Sequence, residues 1–372
     1  MSCDSKTRVF FLFHGRFPSE KAAAIFQDAE ADSFSDNERE VIVVAPARFG
    51  RTSWRKKKSY HVAYVPTLDL VPLGFLESFF FRLSLMCFSV SATLYLFFRA
   101  RKDDIIISNE SVPLLCASFF FRKTLYEMHD YPEQSLRVYR LLFSHVQHIL
   151  ITTKWKLDRF KRDFPSVAGK AFYQPNAVDV EMFASRMSRK EARQRLNLEP
   201  DAIIAVYTGH LYAWKGVDVL AEAVPYLRGV QVYVVGGTEN DVARFKDMFG
   251  TLQNLHIVGC RPHEEMPLWQ RAADVLVLPN TAKQQISTHY TSPMKLFEYM
   301  ASGAPIVASD IPSIRELVKN RVILVPPDSA AALAEGVQRA LKTDIDVSAS
   351  VGWAQEHSWS RRAERMRLQM SL

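Results

Sequence analysis

Residues 275–309, VLVLPNTAKQQISTHYTSPMKLFEYMASGAPIVAS, hold the pattern that decides the fold. The stretch opens on a short apolar run, 275–279, and closes on another, 306–309. Both are too short for helices and bear the β-branched residues of a buried strand. Between them Ser292 is a natural N-cap and Pro293 a natural first helical residue, which predicts a helix over 293–301. Gly303 then stands where a helix places its left-handed terminal residue. Strand, helix and returning strand, with nearly all-apolar strands, predict a parallel sheet covered on both faces.

The same alternation runs outward in both directions. Strands are predicted at 9–13, 41–45, 62–66, 105–108, 124–127 and 149–152, and again at 203–208, 231–235, 256–258, 275–279, 306–309 and 323–325. Helical stretches fall at 19–31, 132–146 and 217–227. The two sets are separated by QPNAVDVEMFASRMSRKEARQRLNLEP, residues 174–200, whose prolines and polar run suggest an interdomain connection. The predicted division is a first Rossmann-like domain over 1–180, a second over 181–345, and helices over 346–372 that close back on the first.

Composition narrows the class. The chain has 372 residues, 48% of them hydrophobic and 23% charged, the balance of a globular protein large enough for two cores. Cys3, Cys87, Cys116 and Cys260 are scattered, with no C-x-x-C, which speaks against a disulfide framework or structural zinc and fits a reducing cytoplasm. The polar start and brief apolar run of MSCDSKTRVFFLFHG read as a first strand rather than a signal peptide. A formal net charge of +7 favours anionic ligands. No zinc-finger spacing, RNP motif or basic heptad region points to nucleic acid. Two features raise contact with an anionic membrane: the cluster Arg55-Lys56-Lys57-Lys58, and residues 83–98, LSLMCFSVSATLYLFF, preceded by Phe75, Leu76, Phe79, Phe80 and Phe81. A span needs about twenty apolar residues. With Glu77 and Arg82 interrupting, the stretch reads as a buried or membrane-surface helix.

Open α/β sheets bind ligands beyond the carboxyl ends of their strands. There, the strand 203–208 runs into Gly209-His210-Leu211-Tyr212-Ala213-Trp214-Lys215-Gly216. Glycines admit close backbone approach to an anion, and Lys215 adds a mobile positive charge. The helix starting near Pro293 points free N–H groups and its dipole the same way. Lys295 and Glu298 share a helix face, and a carboxylate there can accept two hydrogen bonds from a ribose diol.

The phrases GHLYAWKG, VGCRPHEEMPLWQRAADVLVLPN and SPMKLFEYMASGAPIVASD resemble the donor half of family 4 glycosyltransferases. In the first half HGRFPSEKA, DIIISNESVPLL, TLYEMHDYP and HILITTKWKLDRF leading to QPNAVD are similar to that family too. The resemblance implies an α/β chain of the GT-B type, two Rossmann-like doubly wound domains facing a central cleft. It implies a retaining transfer from a nucleotide-diphosphate sugar to a hydroxyl acceptor, a glycan, polysaccharide or lipid-linked precursor. Lys215 would contact the donor diphosphate and Glu298 the ribose. Gly209, Thr291, Ser292, Pro293 and Met294 would cradle phosphate or sugar, and Arg261, in Cys260-Arg261-Pro262, would lie by the base. Gly15 would let the first loop approach the sugar and phosphate, and His129 would hydrogen-bond the sugar or acceptor, with Asp130 shaping that site. Beyond the donor substrate no cofactor is expected. An Asp-x-Asp triplet is taken to be absent from the whole chain, and no obligatory divalent metal is expected. The setting implied is cytoplasmic, with peripheral contact to the inner face of the membrane; a soluble enzyme with a well-packed apolar helix is the alternative.

Two positions depart from the family pattern. The family often carries two glutamates separated by seven residues; Glu298 matches the second, but the first falls on Tyr290. Where an arginine often precedes the donor lysine, His210 lies closest, and His289, Tyr290 and Arg261 are candidate substitutes. Rival functions are a nucleotide-sugar 2-epimerase of the same fold and a non-catalytic nucleotide-sugar-binding protein. A dinucleotide oxidoreductase is weaker, because His14-Gly15-Arg16-Phe17 replaces G-x-G-x-x-G after the first strand.

Overall fold

The computed structural model describes residues 7–19, 21–36, 38–47, 58–68, 77–184 and 187–370. The chain separates into two units, Met1–Gln174 with Arg362–Leu372, and Pro175–Arg361. In the first unit the strands are β1 (Thr7–Leu12), β2 (Arg39–Pro46), β3 (His61–Val65), β4 (Ile105–Ser108), β5 (Thr124–Met128), β6 (His148–Ile151) and β7 (Ala171–Tyr173). They form one parallel sheet in the order β3-β2-β1-β4-β5-β6-β7. Val9, Phe10, Phe11 and Leu12 of the central strand are fully buried, as a doubly covered parallel strand requires.

The second unit has β8 (Ile203–Thr208), β9 (Val230–Val235), β10 (Leu255–Gly259), β11 (Val275–Leu278), β12 (Ile306–Ser309) and β13 (Ile323–Val325). They pair in the parallel order β10-β9-β8-β11-β12-β13. One face of this sheet packs Leu276, Leu278, Leu296, Phe297 and Met300, and the other Val275, Val277, Leu220, Val234 and Val337.

Four details depart from the sequence expectation. Edge strand β7 was not predicted. Residues 174–200 do not form a bare linker. They fold as helices Val180–Phe183 and Arg189–Arg195, the second closed by a Ser188–Glu191 capping box. Helix Ser348–Glu356, expected to close back on the first domain, packs on helix Met294–Ser302 in the second, with Ala354 fully buried and Trp353 5.0 Å from Phe297. Only from Arg362 does the chain return to the first unit. Helix 217–227 ends early at Ala223 and tightens into a 3-10 turn, Val224–Tyr226, that contains Pro225.

Candidate functional site

In the second unit the chain leaves β8 toward β9 on one side and β11 toward β12 on the other. This is the switch point at which loops diverge and expose the carboxyl ends of two central strands. Gly209 follows β8 with φ +129°, and a Cβ there would lie 1.6 Å from Lys295 Nζ. Gly216 has φ +64°, and its Cβ would meet the Pro279 carbonyl at 2.1 Å. Both positions favour glycine, the first through its positive φ, the second also because the two loops touch at the Pro279 backbone. Thr208 N–H donates to Tyr299 Oη at 2.8 Å, fixing the end of β8 to helix Met294–Ser302.

Five charged or titratable groups converge here. Lys215, in the turn Ala213–Lys215, is buried, and its ammonium sits 3.7 Å from the centroid of the Trp214 ring. Burial, and then the Lys295 charge, hold it well below the ordinary lysine range, with Glu298 opposing. Lys295 is lowered too, by burial against Glu298. Lys295 and Glu298 do not form the surface ion pair their spacing allowed. Glu298 is buried and lies 3.4 Å from both His263 Nε2 and Gln270 Nε2. For His263 burial acts downward, but the Glu298 carboxylate outweighs it and raises the imidazole above its usual value. His210 is lowered by burial, then by Lys295 and Lys215. It stacks on Tyr212 at 5.0 Å. The arrangement is an electropositive cluster with one carboxylate, suited to an anion beside a hydroxyl pair.

Of the predicted residues, Gly209, Lys215 and Glu298 are brought together with Lys295. The helix cap lies one residue later than expected. Pro293 is the N-cap and Met294 the first helical residue. Ser292 is occupied elsewhere: its Oγ accepts from Asn176 N at 3.1 Å and its carbonyl from Asn176 Nδ2 at 2.6 Å. Thr291 Oγ1 donates to the Ile286 carbonyl at 2.7 Å, closing a π-helical turn, Ile286–Tyr290, absent from the sequence expectation. Tyr290, at the position of the missing glutamate, donates from Oη to Gln285 Oε1 at 2.8 Å. Arg261 is exposed, donating to its neighbour's carbonyl (Cys260) and 4.0 Å from Glu265; among the described residues no contact carries it to Glu298. His263, two residues on, makes that contact and was missed; its signal was only its place in the loop after β10. Contrary to the expectation that none occurs, the chain holds one Asp-x-Asp triplet, Asp344-Ile345-Asp346. It lies between helices Ala330–Lys342 and Ser348–Glu356, where Asp346 accepts from Ser348 N at 2.9 Å and borders a cavity at the amino ends of β12 and β13.

In the first unit His129 follows β5. Its Nε2 is 3.3 Å from Glu127, and Phe26 packs edge-on at 4.7 Å. Glu127 is itself buried and shares Arg362 with Glu30, the guanidinium donating to both carboxylates. Although burial raises Glu127, Arg362 and His129 dominate and pull it down to about 2. Glu30 moves the other way, well above the ordinary range, through burial and the Glu127 charge. Two carboxylates on one arginine are thus pushed apart in pKa, Glu127 downward and Glu30 upward. Gly15 owes its lack of a side chain to packing: a Cβ would lie 2.5 Å from the Phe13 ring.

Residues 202–343 match the model of the family described as Glycosyl transferases group 1. A curated relative, the D-inositol 3-phosphate glycosyltransferase of Streptomyces bingchenggensis, is 26% identical over 251 residues, 62% of this chain and 53% of that protein. The chain spans about half the length of the curated relatives it matches. Among solved structures, sucrose-phosphate synthase from Thermosynechococcus elongatus superposes with a TM-score of 0.79 at 18% identity, covering 98% of each chain. Anabaena HepE in complex with UDP-glucose gives 0.72 at 18% identity, covering 98% of this chain and 99% of that one. The fold is therefore GT-B. The similarity to the Glycosyl transferases group 1 family lies in the second unit, over residues 202–343.

Proposed function

We propose that the protein is a retaining glycosyltransferase that moves a sugar from a nucleotide-diphosphate donor to a hydroxyl acceptor, a glycan, polysaccharide or lipid-linked precursor. The observation that carries this is the pair Lys215 and Lys295 beside Gly209. Both ammonium groups are depressed in pKa, and neither donates a hydrogen bond to protein among the described residues. A diphosphate supplies the acceptors they lack and restores both pKa values. Glu298, held by His263 and Gln270, keeps a carboxylate for the ribose hydroxyls. HepE, of the same fold, binds UDP-glucose, which supports a uridine or similar donor here.

In the transfer, the bond from the anomeric carbon to the diphosphate breaks as the acceptor oxygen bonds to that carbon. The acceptor proton passes to the departing phosphate. The lysines stabilise the charge that develops on the leaving group, and positioning does the rest. In the first unit, His129 hydrogen-bonds the sugar or acceptor. Gly15, Thr291, Ser292, Pro293 and Met294 contribute backbone rather than side chains, and Arg261 lies by the base. No divalent metal is required.

Incubation with a panel of nucleotide sugars tests the reading. Slow hydrolysis of one donor, with loss of anomeric phosphate, is the expected result. Interconversion of the donor without acceptor would instead identify an epimerase, and binding without turnover a non-catalytic protein. His129→Ala should lower turnover while leaving donor affinity within about twofold. Activity undiminished in excess chelator checks the metal, and NMR of the first-formed product checks retention.

A further inference from the structure

The helix Glu77–Arg99 of the first unit carries its apolar residues on both sides. Ser84, Phe88, Ala92 and Leu96 form a buried stripe against the sheet, the last three fully buried. Offset by half a turn, Met86, Val90, Leu94 and Phe98 form a second stripe at the same four-residue spacing, 61%, 58%, 53% and 78% exposed. An ordinary surface helix is polar there. The patch widens at the helix end, where Phe97 lies 6.4 Å from Phe120, and Phe119 and Phe120 are 57% and 59% exposed. Such a contiguous apolar face marks an interaction surface.

We infer that this face docks the protein onto an anionic lipid bilayer, with the helix lying in the interface. Charge complementarity selects the occupant. Arg82 stands one turn before Met86 on the exposed stripe, and Arg99, Arg101, Lys102 and Arg122 are exposed around the phenylalanine end. The acidic groups nearby are Asp103, 3.9 Å from Lys123, and Asp104, buried and paired with Arg8, so the rim is strongly positive. Apolar face and cationic rim together are the recognition pattern of an interfacial helix on anionic lipid. The hydroxyls also suit an apolar medium: Ser89 donates to the Leu85 carbonyl at 2.7 Å and Thr93 to the Ser89 carbonyl at 2.8 Å. The helix is long and apolar enough to cross a membrane by length and composition. Its fully buried stripe argues for lying on the bilayer, because a span would strip Phe88, Ala92 and Leu96 from the sheet. Of the sequence features that raised membrane contact, residues 55–57, Phe75 and Leu76 lie outside the described residues, and Lys58 is paired with Asp28 at 2.8 Å.

Flotation of the full chain with vesicles tests this. The wild type should float with phosphatidylglycerol–phosphatidylcholine vesicles, more at low than at high salt, and weakly with phosphatidylcholine alone. L94D/F98D should lower partitioning about tenfold or more with melting temperature unchanged, since both side chains are exposed. R101E/K102E should weaken only the anionic-vesicle arm. Equal flotation of L94D/F98D and wild type would overturn the inference, as would no flotation of either. A wild-type dimer that L94D/F98D splits would assign the face to a second copy, and resistance to alkaline carbonate extraction would assign a span; either result refutes docking. Donor binding lies in the other unit and is read separately.

Discussion

Lys156 and Lys215 are buried lysines at the carboxyl edge of a parallel sheet, one in each unit, and their surroundings differ. Lys156 Nζ donates to Thr152 Oγ1 at 2.6 Å, to the His129 carbonyl at 2.5 Å and to the Met128 carbonyl at 3.3 Å. Lys215 has an aromatic face and a second lysine nearby. The same contrast holds for the larger groups. In the first unit Arg362 is answered by two carboxylates, whereas in the second Lys295 shares its space with Lys215 and Glu298 without a direct bond to either. A buried charge whose partners lie within the protein contributes to the fold; one whose partners do not is held for a ligand, at a cost in stability.

If the contrast is sound, substitutions should separate stability from binding. The largest effect belongs to Arg362→Met, which leaves the ionised Glu127 buried without its partner. A loss of about 3–5 kcal/mol in urea denaturation is expected, with no change in donor affinity of the second unit. Lys215→Met should do the reverse. Donor affinity, measured by calorimetry, falls by about 1.5–3 kcal/mol, roughly 10- to 150-fold, as a charged hydrogen bond is lost. Stability stays level or rises. Equal losses of stability in both variants would break the comparison.

Gly209→Ala comes next. The added Cβ displaces Lys295, and the φ of +129° strains the backbone, at about 1–3 kcal/mol. Donor affinity should fall with stability, so this variant sharpens the contrast by joining the two effects at one position. The smallest effect is on His263. Glu298→Gln removes the carboxylate that raises it, and its NMR titration should move down, below the usual histidine value.

The carboxylates of the first unit give a pH signature. Glu127, lowered to about 2 in the folded state, contributes stability above its unfolded value of 4.5 that is lost as pH falls toward 2. Glu30 is raised, so its contribution is complete below 4.5 and is lost as pH rises through its elevated value. Glu30→Gln should therefore flatten the alkaline side of the stability profile and leave the acid side intact. On the second unit, Lys215 and Lys295 are lowered, so donor binding at alkaline pH should take up protons, seen as a buffer-dependent heat.

Much of this was legible in one dimension. All twelve predicted strands exist, because a strand covered on both faces must be apolar at every position and such runs are conspicuous. Strand β7 escaped because it is three residues long, half-buried and at a sheet edge. Gly209, Lys215 and Glu298 were legible because glycine turns and helix faces are local patterns. His263 and Lys295 were not assigned roles, since their value depends on what faces them. Ser292 was assigned a cap it does not provide, because its partner Asn176 lies 116 residues away.

The sequence by itself determined two doubly wound sheets, their strand edges and the kinds of residue placed there. Periodicity and turn chemistry act over a few residues and need no distant partner. Tertiary structure alone decided which charges are answered. It set Arg362 between Glu30 and Glu127 across 332 and 235 residues, and it laid Lys295 over Gly209 with Glu298 turned to His263. It also decided which side of the helix Glu77–Arg99 meets the core, since composition makes both sides apolar and only packing against the sheet distinguishes them.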